Sequence, residues 1–346
     1  GRIDQVSGNS FFGYQAANAN TAGAGNTAMG YQSLLANQSG NNNTAVGYLA
    51  SRDNISGGQN TAAGYASMIL NTGSNNTAYG FYSMYNNVAG SNATAIGYQS
   101  MLYANNTSTP FTNNNVAVGF EALKGSATPA ANTGLYNSAI GYQALLNNSS
   151  GSANTGLGYL ALQNNTTGYS NTAAGMDAMK ANTTGYNNTA TGVQALTANT
   201  SGTFNTATGV AALSSNTTGY NNTAMGMQAL NSNIDGFFNT ATGLAALFYN
   251  TSGSSNTATG MDALRLNTTG SQNTATGMRA LNSNTTGINN TATGVNALYA
   301  NTEGIFNTAA GVNALTTNTT GNNNTAFGQQ ALNSNVTGSN NTALGL

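Results

Sequence analysis

The chain contains no cysteine, no histidine and no tryptophan, and only two of its 346 residues are proline. Without cysteine there is neither a disulfide framework nor a thiolate metal site. With histidine missing as well, the usual bases, nucleophiles and metal ligands are gone, so no catalytic residue, metal or cofactor is expected and the chain does not read as an enzyme. Charge is also scarce: Asp, Glu, Lys and Arg make up 4% of the residues and the formal net charge is −1. The basic residues, Arg2, Arg52, Lys124, Lys180, Arg265 and Arg279, are scattered. That excludes the clustered cationic footprint by which proteins displace counterions from nucleic acid. The longest apolar runs, such as Met68, Ile69 and Leu70, are far too short to cross a bilayer, so membrane insertion is not expected. No signal sequence is recognisable and the first residue is Gly1, which reads as a segment or a processed product.

What the chain does contain is a phrase of seventeen residues, seen cleanly from Asn188 to Phe204: N-T-A-T-G-V-Q-A-L-T-A-N-T-S-G-T-F. Copies begin at Asn9, Asn26, Asn43, Asn60, Asn76, Ala93, Asn115 and Asn137, and then at every seventeenth residue from Asn154 to Asn341. The step from Asn60 is sixteen residues, and the steps from Ala93 and Asn115 are twenty-two. So short and regular a period predicts a parallel β-solenoid of about twenty coils, each burying its apolar side only against its neighbours. At about 4.8 Å per coil such a stack would be about 95 Å long. Residues 1–8 do not fit the phrase and form a flanking segment, a linker or the remnant of a cap. Leu346 falls at position 6 of an unfinished coil. Uncapped coil edges recruit further chains, so continuation beyond Leu346 or end-to-end assembly is expected.

Numbering the phrase 1 to 17, positions 1 to 5 (N-T-A-x-G) read as a short strand. Thr at 2 and the variable residue at 4 then share one face, and the small Ala at 3 takes the other. Position 9 is Leu or Met from Leu34 through Met68, Met84 and Met101 to Leu332, with few exceptions, and is expected to pack over that Ala. Positions 5 to 11 are rich in Gln, Ala, Leu and Met. Glu121 with Lys124, Asp177 with Lys180, and Asp262 with Arg265 all fall at positions 7 and 10. Opposite charges three apart suit a helical turn, so one strand and one helical turn per coil are predicted, with a second strand as the alternative. Gly at 15 is expected to supply a positive φ for the reversal that follows. Asn recurs at position 12 as N-T-T or N-T-S, at Asn165, Asn182, Asn199, Asn216 and Asn267, and N-N-T begins at Asn187, Asn221 and Asn289. These are formally glycosylation sequons. Amide ladders running from coil to coil explain them more simply.

The two halves differ in character. In residues 9–175 position 6 is aromatic, from Tyr14 through Tyr31, Tyr48, Tyr65, Phe81, Tyr98, Phe120 and Tyr142 to Tyr159. Position 4 is apolar there, with Met29, Val46, Ile96, Val118, Ile140 and Leu157 forming a stripe suited to pairing with other copies of the chain. The opposite assignment, with position 4 inside and Ala at 3 outside, would remove that stripe. In residues 176–346 position 4 is mostly Thr, and six coils from Thr189 to Thr293 read T-A-T. This places two Thr about 6.7 Å apart on one face and repeats them about every 4.8 Å along the stack. The regular run breaks between residues 102 and 136, where two neighbouring coils each gain five residues and the only prolines, Pro110 and Pro129, occur. Such insertions should project side by side, carrying Tyr103, Phe111, Leu135 and Tyr136 as contact residues for a glycan or a protein.

The run N-S-A-I-G-Y-Q-A from Asn137 to Ala144, with T-A-I-G-Y-Q-S from Thr94 to Ser100, resembles the head repeats of trimeric autotransporter adhesins. Over nearly all of 9–346 the N-T-A-x-G-x-x-A-L pattern resembles repeats of bacteriophage tail-fibre and related surface proteins. Adhesin head repeats are shorter and lack the A-L-x-x-N-T-T-G part. The resemblance implies an elongated, commonly trimeric shaft, extracellular or on a cell or virion surface, and brings no catalytic residues with it. The function expected is that of a structural or adhesive fibre segment acting through repetition and self-association, as a trimer or a filament. The Thr-x-Thr array resembles that of ice-binding solenoids and supplies the alternative.

Overall fold

The structure, a computed structural model, describes residues 2–4 and 7–345; Gly1, Gln5, Val6 and the incomplete coil position at Leu346 lie outside the described residues. The chain is a parallel β-solenoid of about twenty turns, seventeen residues apart, and it divides into two compact units, Gly1–Ala173 and Ala174–Leu346. In the first unit the strand Arg2–Asp4 pairs antiparallel with Asn9–Phe12. The three-residue strands that follow then pair in parallel, each with the strand of the next coil. Ala28 lies opposite Ala45, and Ala45 opposite Ala62. The insertions leave the register unchanged, because Ala117 still lies between Ala95 and Ala139. In the second unit Ala190, Ala207, Ala224 and Ala241 form an equivalent column from Thr189–Thr191 onward.

The interior is narrow. Ala at position 3 is fully buried, and so are the small residue at position 8 and the Leu or Met at position 9, as at Ala195 and Leu196. Position 4 points outward, so the side of the strand that faces the core is the Ala side. Two asparagine columns complete the interior. Asn26 at position 1 donates through Nδ2 to the Gly40 carbonyl at 2.8 Å, and its Oδ1 accepts from the Asn43 N–H at 2.9 Å. Asn37 at position 12 donates to Asn20 Oδ1 at 2.8 Å, and Asn54 donates in turn to Asn37 Oδ1 at 3.2 Å. These amides satisfy the carbonyls and N–H groups of the turns, which a thin core could not otherwise leave buried.

The expected helical turn at positions 5 to 11 does not form. Neither is there a second strand: the segment is a run of turns in which positions 7 and 9 have positive φ, as at Gln32 (52°) and Leu34 (53°). Position 17 does the same, as at Asn42 (56°). The reason lies in where the N–H groups must go. A helix would spend them all inside its own turn, whereas here Gln32 N donates to Tyr14 O at 2.8 Å and Leu34 N to Ala50 O at 2.9 Å. Alternating the sign of φ turns these peptides along the stack, and the bonds between coils offset left-handed conformations that cost roughly 1–3 kcal/mol each. Intervening residues keep turn bonds, such as Asn37 N to Leu34 O at 3.2 Å. The charge pairs do form on this turn: Lys124 reaches Glu121 at 2.6 Å, Lys180 reaches Asp177 at 3.2 Å and Arg265 reaches Asp262 at 3.3 Å.

Gly at position 15 also plays a different part from the one expected. Its φ is not in the positive range. Glycine is required there because a Cβ at Gly219 would strike the Gly236 carbonyl and the side-chain oxygen of Asn216. The positive-φ glycine is the one at position 5, with φ near +132° at Gly209.

Candidate interaction surfaces

With position 4 outward, the stripe is solvent-facing. Met29, Val46, Ile96, Ile140 and Leu157 are exposed, Leu157 by 50%, and Val118 is half-buried. Beside it stands the position-6 column. Nine rings from Tyr14 to Tyr159 stack in succession within the first unit, with centroids 5.0 to 5.3 Å apart and planes within 16° of parallel. The faces of the inner rings are therefore taken by their neighbours, and the ladder offers edges to solvent. The insertions do not interrupt it, since Tyr98, Phe120 and Tyr142 remain in line. A paired apolar stripe and ring edge of this length is a continuous apolar face on a chain with almost no charge.

The inserted segments meet as expected from their equivalent places in neighbouring coils. Asn132 joins them: its Nδ2 donates to the Tyr103 carbonyl at 2.5 Å and to the Ser126 carbonyl at 2.8 Å, and its Oδ1 accepts from Ser126 N at 2.9 Å. A turn of 3₁₀ helix, Pro129–Ala131, stiffens the second insertion. In the first, Phe111–Thr112 adds a short parallel ladder to Gly90–Ser91. Tyr103 and Phe111 share the wall of a cavity of about 30 Å³ beneath the bump. Leu135 is half-buried, with its N–H on Ser152 Oγ at 3.1 Å. Tyr136 is 60% exposed. Neither of these two lines that cavity, so the four contact residues do not form one site.

Tyr103 also lines two open clefts. One, of about 580 Å³, is walled by Glu121, Lys124, Ala131, Leu146 and Asn147 among others; the second, of about 290 Å³, includes Tyr82, Tyr85, Gln99 and Leu102. The Glu121 carboxylate lies between the Lys124 ammonium at 2.6 Å and the Gln143 amide at 2.7 Å. Burial, the largest influence, pushes its pKa up. The Lys124 and Gln143 hydrogen bonds and the Lys124 charge together pull it down further, and the net position is below the ordinary value. Tyr82, Tyr85 and Asn132 were not singled out from the sequence. Their signal was faint: aromatic residues at positions 7 and 10 of one coil, and an Asn outside the repeat pattern.

On the second unit the Thr pairs point outward on the strands Thr189–Thr191, Thr206–Thr208, Thr257–Thr259, Thr274–Thr276 and Thr291–Thr293, and Met225 interrupts the column. The position-12 asparagines of the sequons, Asn165, Asn182, Asn199, Asn216 and Asn267, are fully buried, which withholds their amides from modification in the folded chain. Asn187 and Asn221 are exposed and Asn289 is half-buried. Among the described residues no three His, Cys, Asp or Glu side chains gather as a metal site, and no helix is long and apolar enough to cross a membrane. No protein-family model matches the chain, and no curated protein sequence matches it.

Proposed function

We propose that this chain is a structural or adhesive segment of an extracellular or surface fibre, and that it works by self-association through the aromatic and apolar face of its first unit. The observation that carries this reading is the nine-ring ladder lying beside the outward stripe of Met29, Val46, Ile96, Ile140 and Leu157. Each of these stripe side chains is already half or more buried, so covering the rest contributes about 1 kcal/mol, and docking two bodies costs about 4–15 kcal/mol. The stripe and the nine rings together outweigh that cost over most of its range. Copies of the chain suit the face because it repeats at the same spacing as itself, in a trimer or in a filament. The reading includes no catalytic step, cofactor or metal.

Acrylamide quenching of tyrosine fluorescence tests it, since seven tyrosines sit in the ladder. As protein concentration rises, quenching should fall while the far-ultraviolet dichroism stays constant. Quenching independent of concentration over three decades would contradict self-association through this face.

A second reading, ice binding, is favoured by one observation: the two Thr columns of the second unit face solvent in parallel register, as at Thr257 and Thr259 opposite Thr274 and Thr276. Thermal hysteresis that is lost in Thr259→Lys would establish it, and its absence in the intact chain would remove it.

A further inference from the structure

The clefts on either side of Tyr103 set aromatic side chains beside an inserted wall. They lie on the turn face, where positions 7 and 11 of most coils carry Gln, Asn, Thr, Ala or Ser and position 10 varies. Here Tyr82 and Tyr103 take positions 7 and 11 of their coils, and Tyr85, Leu102 and Leu146 take position 10. The larger cleft, about 580 Å³, is within the range of small-molecule sites, roughly 300–1,000 Å³. Its bounding insertion is held rigid by Asn132 and the Pro129–Ala131 turn, so ordering it on binding costs little.

We propose that these clefts bind a neutral oligosaccharide. The wall alternates apolar surfaces, from Tyr103, Ala131 and Leu146, with hydroxyl and amide groups from Ser126, Ser149 and Asn147. A sugar presents the same alternation, C–H faces for aromatic and methyl contact and hydroxyls that both donate and accept. Asn147 is exposed; its Nδ2 is directed to Asn164 at 3.1 Å, leaving Oδ1 to accept from a hydroxyl. Charge argues for neutrality. Glu121 and Lys124 are paired at 2.6 Å, and Arg52 is paired with Asp53 at 2.6 Å, so no surplus charge faces the clefts. The stacked ladder is no rival for the same ligand, because its inner ring faces are already covered; Tyr82 of the smaller cleft meets its Tyr65 and Phe81 rings from the side. This inference stands apart from self-association, since the larger cleft uses none of the ladder or stripe residues.

Saturation-transfer NMR on the full chain with maltohexaose, cellohexaose and chitohexaose tests the inference. At least one should receive saturation. Tyr103→Ala should weaken it about tenfold, Asn147→Ala should weaken it more modestly, and Tyr103→Phe should preserve it. Gln194→Ala, at the position of Glu121 in another coil, should leave it unchanged, and circular dichroism should show every variant folded. No transfer to any of the three sugars would overturn the proposal. So would transfer undiminished in both Tyr103→Ala and Asn147→Ala, or displacement by a sulfated hexasaccharide that binds more tightly.

Discussion

Asn239 and Asn256 occupy the same corner of successive coils, and one amide oxygen serves both the backbone and the side chain of the next. Asn239 Oδ1 accepts from Asn256 N at 3.0 Å and from Asn256 Nδ2 at 3.2 Å, while Asn256 Nδ2 also donates to the Gly270 carbonyl at 2.8 Å. Asn256 Oδ1 in turn accepts from Asn273 N at 3.0 Å. Replacing Asn256 with Ala would leave the Asn273 N–H buried without a partner, a penalty of about 1–3 kcal/mol. The expected outcome is a lower urea midpoint for Asn256→Ala, against a change within about 0.5 kcal/mol for the exposed Asn147→Ala. Equal midpoints would show that the ladder is not a source of stability.

Two glycines should respond oppositely to the same substitution. Gly226 has φ +136°, and a Cβ there would meet the Gly243 carbonyl carbon at 2.7 Å. Gly226→Ala should therefore destabilise by about 3 kcal/mol. Gly156 stands in the Ala column between Ala139 and the next coil, and its added Cβ would meet Ala161 O at 3.3 Å and Leu145 Cγ at 3.4 Å, the setting that alanine fills in other coils. Gly156→Ala should raise stability by about 0.4–1 kcal/mol, by restricting the unfolded chain. Thermal midpoints of the two variants provide the check.

Stability should be flat across neutral pH, because without histidine no side chain ordinarily titrates between about pH 5 and 8. On the acid side Glu121 contributes. Its folded pKa lies below the ordinary carboxylate value, so its contribution is complete above the unfolded value of about 4.3 and is lost as pH falls through the folded one. The gap in urea midpoint between wild type and Glu121→Gln should be present at pH 7, within about 1 kcal/mol, and should close in acid. A carboxyl ¹³C titration of Glu121 with a midpoint above about 4.3 would contradict this.

The period, the inward Ala column and the outward face at position 4 were legible because each repeats, and repetition turns a weak local preference into a column. The Asn ladder at position 12 was legible for the same reason: an amide that recurs at one corner can bond its own copy. The turn was not legible. Glu121 and Lys124 lie three apart, and that spacing brings charges together on a helix and on this alternating turn alike, so the pair could not distinguish them. Only the need for Leu34 N and Gln32 N to bond neighbouring coils decides it. Gly at 15 was misread because its constraint comes from the next coil's carbonyl and not from its own φ. The clefts beside Tyr103 were hidden because the Tyr82–Tyr85 pair, Tyr103 and Asn147 come from three different coils, and no local spacing links the three.

Sedimentation equilibrium, comparing wild type with the double variant Ile96→Asp/Ile140→Asp, bears most directly on the central proposal. Both side chains are about 40% exposed on the stripe, so a folded single chain should tolerate Asp there, while a covered interface would bury two unpaired charges. The prediction is a mass of several chains for the wild type, the mass of one chain for the double variant with unchanged circular dichroism, and retained assembly in Thr191→Asp/Thr259→Asp. A wild type that sediments as one chain at every concentration, or a double variant that assembles as the wild type does, would contradict it.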